Sequence, residues 1–144
     1  MEKHIFRGQV IWAQVDANQH MRHSAYADFA AQARVELLEQ VGLSAKVFQK
    51  LMLGPILLRE ELVYYKEVNL SEKISVTCEM TRCKADASRW SIRSELFRED
   101  GVKAAVIQVD GAWMDVVKRK MTGLEGELLE LFMSAPKSKD FIME

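Results

Sequence analysis

The pattern of apolar and polar positions divides the chain into a helical part and a strand-rich part. Apolar residues recur at the spacing of one helical face at Tyr26, Phe29, Ala30, Ala33, Leu37 and Val41. This period predicts a long helix over about Ser24–Val41, and Gly42 suits the left-handed position just beyond a helix. The run Phe6–Val15 before it predicts a strand.

Alternation with period two dominates the chain after Gly54-Pro55. It predicts four strands, at Ile56–Lys66, around Ile74–Thr81, at Ser88–Glu99 and at Val102–Asp115. Asp100-Gly101 is a strong hairpin signal, and Gly111 indicates a bend or bulge within the last of these strands. Residues 44–53 suit a short helix or a loop.

The C-terminal part carries weaker signals. The sequence Thr122-Gly123-Leu124-Glu125 fits a capping box. Leu124, Leu128, Leu131 and Phe132 follow at helical spacing and predict a short helix. We expect the tail from Pro136 to be loose.

The order of one strand, a long helix and four more strands predicts an α+β fold. We expect one domain spanning residues 1–144, in which a five-stranded antiparallel sheet wraps around the alanine-rich helix. One helix covers only one face of such a sheet. Trp113 and Phe97 would then be buried by another subunit, which predicts a homodimer or a homotetramer.

Composition and charge exclude several classes of protein. The chain has 144 residues and a net charge of −1, which argues against nucleic-acid binding and against a basic membrane-surface helix. No apolar run approaches the roughly 20 residues of a membrane span, and the first residues lack an apolar signal region. Cys78 and Cys83 would lie on opposite faces of a strand, so we expect free thiols and a cytoplasmic location.

The candidate chemistry lies between the first strand and the helix. This stretch reads Asp16-Ala17-Asn18-Gln19-His20-Met21-Arg22-His23-Ser24-Ala25-Tyr26. A helix start presents unpaired N–H groups and a partial positive charge. A carboxylate beside such donors suits a reaction at a carbonyl group. The histidine spacing lacks the usual pattern of a zinc site, so we expect no metal and no cofactor.

The same stretch resembles the Asp-x-x-Gly/Asn-His-Val-x-Asn-x-x-Tyr signature of hot-dog-fold thioesterases, above all the 4-hydroxybenzoyl-CoA thioesterase group and the acyl-ACP thioesterases. The resemblance implies that Asp16 is catalytic and that a backbone N–H near His23 or Ser24 polarises the thioester carbonyl. In the acyl-ACP branch, the residues matching Asn18 and His20 also belong to the site. The family forms dimers and tetramers with sites between subunits.

The chain departs from the family pattern at three positions. His23 stands where asparagine is common, Gln19 where some members have glycine, and Gln32 where related sequences often carry glutamate. These departures leave open which subgroup of the hot-dog-fold thioesterases the chain resembles most.

The sequence also leaves the roles of the individual residues open. Asp16 suits a nucleophile, a general base or a turn-forming residue, and His20 suits an orienting or loop-bonding role. Tyr26 and Phe29 are candidates for substrate binding, although Tyr26 also suits the core. The expected function is hydrolysis of an acyl-CoA or acyl-ACP thioester.

Two alternatives to hydrolysis remain. One is an enoyl-thioester hydratase or dehydratase of the same fold, in which the histidine lies one residue further on than His20. The other is a non-catalytic acyl-thioester binding protein.

Overall fold

The computed structural model describes residues 4–144. The strands in this range are β1 (His4–Gln9), β2 (Leu53–Tyr64), β3 (Lys73–Cys83), β4 (Trp90–Phe97), β5 (Lys103–Asp115), β6 (Lys120–Thr122) and β7 (Lys137–Met143). The helices are α1 (His23–Gln40), α2 (Ala45–Leu51) and α3 (Gly126–Met133), with a 3₁₀ turn at Trp12–Gln14. In this part of the chain, no helix combines the length and apolar character needed to cross a bilayer.

The sheet wraps around α1 as predicted. Its strand order is β1-β3-β4-β5-β2, with every neighbouring pair antiparallel. Helix α1 packs against β1, β3, β4 and β5. The predicted α+β arrangement of a five-stranded antiparallel sheet around one long helix is therefore confirmed. Two short additions extend it, since β6 pairs with β5 and β7 pairs with β3.

Small side chains bring α1 close to the sheet. Ala25, Ala30 and Ala33 are fully buried, and the last two lie on the predicted face between the larger Phe29 and Leu37. The helix ends where Gly42 takes a φ of 97°. There the Gly42 N–H donates to Glu39 O at 3.1 Å and the Leu43 N–H donates to Leu38 O at 2.7 Å. These two bonds form a Schellman motif, in which glycine supplies the left-handed residue.

The bend or bulge predicted at Gly111 of β5 is present, but it lies on β2, the strand that pairs with β5 at this point. The register of β2 against β5 shifts between Leu57 and Arg59, opposite Gly111 and its neighbour. Gly111 itself is needed because the indole of Trp90 lies against its Cα. A Cβ at this position would lie 2.2 Å from Cη2 of Trp90, far inside van der Waals contact.

The first strand is shorter than predicted. It ends at Gln9 rather than at Val15, and residues 12–14 form the 3₁₀ turn. The backbone N–H of Ile11 donates to the side-chain oxygen of Gln14 at 3.0 Å. A local bond of this kind competes with strand pairing and turns the chain toward α1.

The C-terminal predictions were wrong in two respects. Thr122 does not cap the helix, because it belongs to β6 and pairs with Trp113; α3 begins at Gly126 without a side-chain cap. The tail forms β7 instead of a loose segment. It pairs in parallel with β3, and Nη2 of Arg93 forms an ion pair with Oδ1 of Asp140 at 3.3 Å. These pairings join residues far apart in sequence, which local patterns do not reveal.

The prediction that another subunit buries Trp113 was wrong. It is fully buried by its own chain, with ring centroids 5.4 Å from Phe48, 6.1 Å from Trp90 and 5.2 Å from Phe132. Helices α2 and α3 supply Phe48 and Phe132, so the chain covers this tryptophan without a partner. Phe97 remains half-buried.

The two cysteines are buried and unbridged, as predicted. Burial raises the pKa of the Cys78 thiol to about 12 and that of the Cys83 thiol to about 11. Both groups are therefore protonated thiols at neutral pH.

Candidate active site

A tight turn places Asp16 at the entrance to α1. The Asp16 N–H donates to His20 O at 2.9 Å, and the Gln19 N–H returns a bond to Asp16 O at 2.9 Å. Gln19 has a φ of 63°, in the left-handed region. Glycine adopts this region without steric cost, which explains physically why glycine is acceptable at this position of the motif.

The carboxylate of Asp16 is oriented by the backbone. Its Oδ1 accepts the N–H of Asn18 at 2.9 Å and the N–H of His20 at 3.1 Å. Within residues 4–144, its Oδ2 has no hydrogen-bond donor. One oxygen is thus held in place while the other is available for chemistry.

The start of α1 is left open to a ligand. Arg22 is the N-cap residue, and its side chain makes no capping bond. Its Nε donates to Ser24 Oγ at 2.9 Å, and its guanidinium also bonds the carbonyl of Ala13. The helix offers no internal acceptor to the N–H groups of His23 and Ser24. These two donors carry the positive end of the helix dipole.

Asp16 and the helix start border one pocket of about 420 Å³. Its walls come from the Asp16 turn, the first turn of α1 and the segment after β2. The lining residues are Asp16, His20, Met21, His23, Tyr26, Tyr64, Tyr65, Lys66 and Glu67. The pocket is wide and shallow, because Asp16 and the residues from Tyr64 to Glu67 are exposed.

The structure places four of the predicted site residues in this pocket: Asp16, His20, His23 and Tyr26. Asn18 lies at the exposed tip of the turn and contributes its backbone N–H to Asp16. The Ser24 side chain is also exposed, and its hydroxyl is bonded to Arg22.

Phe29 lies outside the pocket. It is buried in the core, with its ring centroid 6.1 Å from that of Phe6. Its place in the structure is packing between α1 and β1.

The segment 64–67 supplies the pocket residues that sequence reasoning missed. Tyr64 donates its hydroxyl to His23 O at 3.3 Å, and its ring meets Tyr26 edge-on with centroids 5.0 Å apart. Tyr26 donates in turn to Lys66 O at 3.3 Å. The only signal in the sequence was the Tyr-Tyr-Lys-Glu run at the end of a predicted strand, and nothing local connects that run with Asp16.

The pocket mixes charges of both signs. Burial raises the pKa of Tyr26, with smaller contributions from Tyr64 and Glu67, so this phenol stays protonated and donates. The bond from its own backbone N–H lowers the pKa of Glu67, and His20 and Arg98 lower it further. Glu67 is therefore a carboxylate at neutral pH. Within residues 4–144, no three His, Cys, Asp or Glu side chains are grouped closely enough to hold a metal ion.

Comparison with known proteins identifies the family. A model of the Thioesterase-like superfamily matches residues 10–132, which include the Asp16 turn and most of the sheet. The chain therefore belongs to the Thioesterase-like superfamily. No curated protein matches the chain in sequence.

Solved structures share the fold across nearly the whole chain. The hypothetical protein SAV2348 from Staphylococcus aureus, solved in complex with CoA, is 19% identical with a TM-score of 0.87, covering 95% of this chain and 87% of that one. The DHNA-CoA thioesterase of Staphylococcus aureus is 19% identical with a TM-score of 0.84, covering 93% and 91%. Slr0204, a 1,4-dihydroxy-2-naphthoyl-CoA thioesterase from Synechocystis, is 16% identical with a TM-score of 0.80, covering 92% and 96%. At these identities the likeness establishes the hot-dog fold.

Proposed function

We propose that the protein is a cytoplasmic acyl-CoA thioesterase with Asp16 as its catalytic carboxylate. The observation that carries this proposal is the shared pocket of Asp16 and the uncapped start of α1. Family membership supports thioester hydrolysis. The CoA complex and the CoA-thioesterase names among the similar structures favour CoA over a carrier protein.

The helix start would polarise the substrate. A thioester carbonyl placed against the N–H groups of His23 and Ser24 would gain negative charge on its oxygen as a nucleophile adds to its carbon. Donors fixed in advance stabilise that charge, and one such donor is typically worth about a hundredfold in rate. The partial positive charge of the helix end acts in the same direction.

Asp16 would act by one of two mechanisms. As a nucleophile, its Oδ2 attacks the carbonyl carbon and CoA leaves as a thiolate; water then hydrolyses the acyl–aspartyl anhydride. As a general base, Oδ2 takes a proton from water while the water oxygen attacks the carbonyl carbon; the C–S bond then breaks, and the leaving CoA thiolate takes the proton from Asp16. Label found in Asp16 after a single turnover in ¹⁸O-labelled water would identify the nucleophilic route. The nucleophilic route leaves label in Asp16 if water attacks the aspartyl carbon, and the base route places label in the released acid alone.

The remaining site residues support this chemistry. Asn18 and His20 hold Oδ1 of Asp16 through their backbone N–H groups. The imidazole of His20 borders the pocket and suits a water-holding role. Tyr26 forms part of the wall against which the acyl group would lie, and Phe29 holds the helix beneath that wall.

We propose that the site is completed by a second copy of the chain. Strand β2 is a 12-residue edge strand of the sheet in the described chain. Apolar side chains remain exposed along it, including Leu57, Leu58 and Val63. A long exposed apolar edge is a site of strand pairing. Tyr64 and Tyr65 continue this edge into the pocket, so a partner paired there would cover the open site. A homodimer is the minimum assembly, and a homotetramer is the next.

Release of thiol from a panel of acyl-CoA thioesters tests the activity. We expect hydrolysis without added metal or organic cofactor, at a rate unchanged by a chelator. Hydration of crotonyl-CoA without thiol release would instead identify the enoyl-thioester hydratase alternative. Tight acyl-CoA binding with neither reaction would identify the non-catalytic binding protein.

A further inference from the structure

A groove of about 500 Å³ lies where the end of β1 pairs with the start of β3. A Cβ on Gly8 would meet the rings of Phe6 and Phe29, so Gly8 faces α1. Its neighbours Arg7 and Gln9 therefore point away from the helix, because side chains alternate along a strand. The groove belongs to the β1 edge of the sheet, and β4 and β5 separate β3 from the β2 edge. A partner paired along β2 would leave this groove open.

Two exposed cations line this groove without a counter-charge. The register pairs Arg7 with Ser75 and Gln9 with Lys73, so all four side chains share one face of the sheet. Arg7 and Lys73 are diagonal neighbours on that face, and such positions lie about 7–8 Å apart. Within residues 4–144, no carboxylate oxygen lies within 4.0 Å of either cationic group. Like charges at this spacing repel, and an anion bound between them would relieve the repulsion.

Arg98 and Glu99 complete the charges of the groove. Arg98 donates from Nη2 and Nε to the carboxylate of Asp100 at 2.6 and 3.2 Å, so a neighbour in its own turn neutralises it. Glu99 is the one carboxylate among the described residues that line the groove, against three cationic side chains. Its Oε1 accepts the backbone N–H of Lys73 at 3.4 Å. The groove thus carries a net positive charge, and Arg7 and Lys73 are the groups available to an anion.

The groove adjoins the pocket of Asp16. Nη1 of Arg98 donates to Glu67 O at 3.3 Å, and Glu67 lines that pocket. The segment from Lys66 to Lys73 borders the pocket with its first residues and the groove with its last. An extended molecule with its reacting group beside Asp16 can therefore pass Glu67 and place its other end in the groove.

We propose that this groove binds the phosphorylated nucleotide end of acyl-CoA, with phosphate oxygens on Arg7 and Lys73. The proposal rests on the proposed function, because it places the far end of that substrate. Guanidinium and ammonium groups both form charge-assisted bonds with phosphate. The phosphates of CoA lie at the opposite end of the molecule from the thioester, which matches the separation of the groove from Asp16. The hydroxyl of Ser75 offers one more donor to a phosphate oxygen.

Titration calorimetry with adenosine 3′,5′-bisphosphate, the nucleotide end of CoA, tests the groove without turnover. We expect it to bind the wild-type protein at least about tenfold more tightly than adenosine, which lacks the phosphates. Arg7→Gln and Lys73→Gln should each weaken its binding about twofold to fivefold, the range for an exposed ion pair, and together about tenfold. Lys118→Gln is the matched control, because Lys118 lies in the turn after β5 and does not line the groove. Its affinity should equal that of the wild type.

Glu99→Gln should have the opposite effect. Its amide oxygen still accepts the Lys73 N–H, while the groove loses its carboxylate, so the affinity for the bisphosphate should rise about twofold to fivefold. A misfolded variant would not bind more tightly. Equal affinities of the wild type, the Arg7→Gln, Lys73→Gln double variant and Glu99→Gln would overturn the inference. Equal binding of the bisphosphate and adenosine to the wild type would also overturn it, and this comparison needs no variant.

Kinetics separate the nucleotide end of the substrate from a free phosphate compound. The double variant should raise KM for hexanoyl-CoA about tenfold at unchanged kcat, because the lost contacts lie away from the reacting carbonyl. Both constants should stay unchanged for hexanoyl N-acetylcysteamine, a thioester without the nucleotide, whereas a merely structural defect would impair both substrates. Bisphosphate binding with an unchanged KM for hexanoyl-CoA would overturn the assignment to the substrate. Bisphosphate binding without hydrolysis of any thioester would refute the proposed function and leave the phosphate-binding groove standing. Hydrolysis without bisphosphate binding would do the opposite.

Discussion

The backbone N–H of His20 donates to Oδ1 of Asp16 at 3.1 Å, so the main chain at His20 orients the carboxylate four residues earlier. A second N–H, from Asn18, holds the same oxygen at 2.9 Å. Neither bond depends on the imidazole. The orienting role considered for the His20 side chain is therefore already filled by its backbone.

Asp16→Asn is the sharpest test of the proposed chemistry. Its side-chain oxygen still accepts the same two N–H bonds, but the amide neither ionises nor attacks a thioester. We expect unchanged folding and acyl-CoA binding, with a loss in turnover of at least about two orders of magnitude. Turnover and melting temperature of both proteins are the measurements. An unchanged melting temperature with turnover within a few-fold of wild type would refute the catalytic assignment.

His20→Ala should be less damaging than Asp16→Asn. The alanine keeps the backbone N–H that holds Asp16, and only the imidazole at the edge of the pocket is lost. We expect a loss in kcat smaller than about a hundredfold, the lower range for removal of a general base. If His20→Ala proves the more impaired enzyme, the imidazole rather than Asp16 is the principal base.

Gly111→Ala should destabilise the fold. The new Cβ would lie 2.2 Å from Cη2 of Trp90, and Trp90 packs against both Trp113 and Phe132. Overpacking of a close-packed core costs about 1–3 kcal/mol in free energy of unfolding. Gly54→Ala is the control, since a Cβ there meets no atom within 4 Å. Denaturant unfolding of both variants measures the difference, and equal stabilities would contradict the observed packing.

The buried thiols predict loss of stability at alkaline pH. Folding raises the pKa of Cys78 to about 12 and of Cys83 to about 11, from a value of 9.0 for an exposed thiol. Above pH 9 the unfolded chain loses protons that the folded chain keeps, so the free energy of unfolding falls as the pH rises toward 11. Each thiol contributes a slope of up to about 1.4 kcal/mol per pH unit.

Unfolding curves of the wild type and of the double variant Cys78→Ala, Cys83→Ala measure this slope. We expect a steeper alkaline decline in the wild type, and parallel pH profiles for both proteins below pH 8. A thiol reagent at pH 8 should label neither cysteine before unfolding. Rapid labelling of the native protein would show that the thiols are not buried as described.

Placing a lysine on the β2 edge tests whether the protein assembles through this strand. Leu58 is 45% exposed on this strand, and Ile5 is 39% exposed on β1 at the opposite edge of the sheet. We expect light scattering to give at least twice the 16.5 kDa of one chain for the wild type. Leu58→Lys should weaken the assembly because a lysine on a strand edge opposes pairing, and Ile5→Lys should not. A monomeric wild type at micromolar concentration would contradict the proposed dimer and a shared site.

The local pattern of the sequence was enough to predict the central elements. Apolar residues recur at helical spacing over about three turns between Tyr26 and Leu37, so the prediction of a helix does not depend on any single residue. Gly42 and Asp100-Gly101 mark ends by backbone preferences that belong to the residues themselves. The Asp16 turn was likewise recognisable, because its residues are contiguous and their bonds join neighbours in the chain.

Only the tertiary structure decided what joins distant segments. The pairing of β7 with β3 depends on residues about 60 positions apart, and its strand residues carry a polar, undistinguished pattern. Tyr64 reaches the pocket of Asp16 only because β2 returns the chain to the start of α1. The burial of Trp113 under Phe48 and Phe132 likewise depends on how separate elements pack. Such contacts are set by three-dimensional packing of the whole chain, and a period read along the sequence does not contain them.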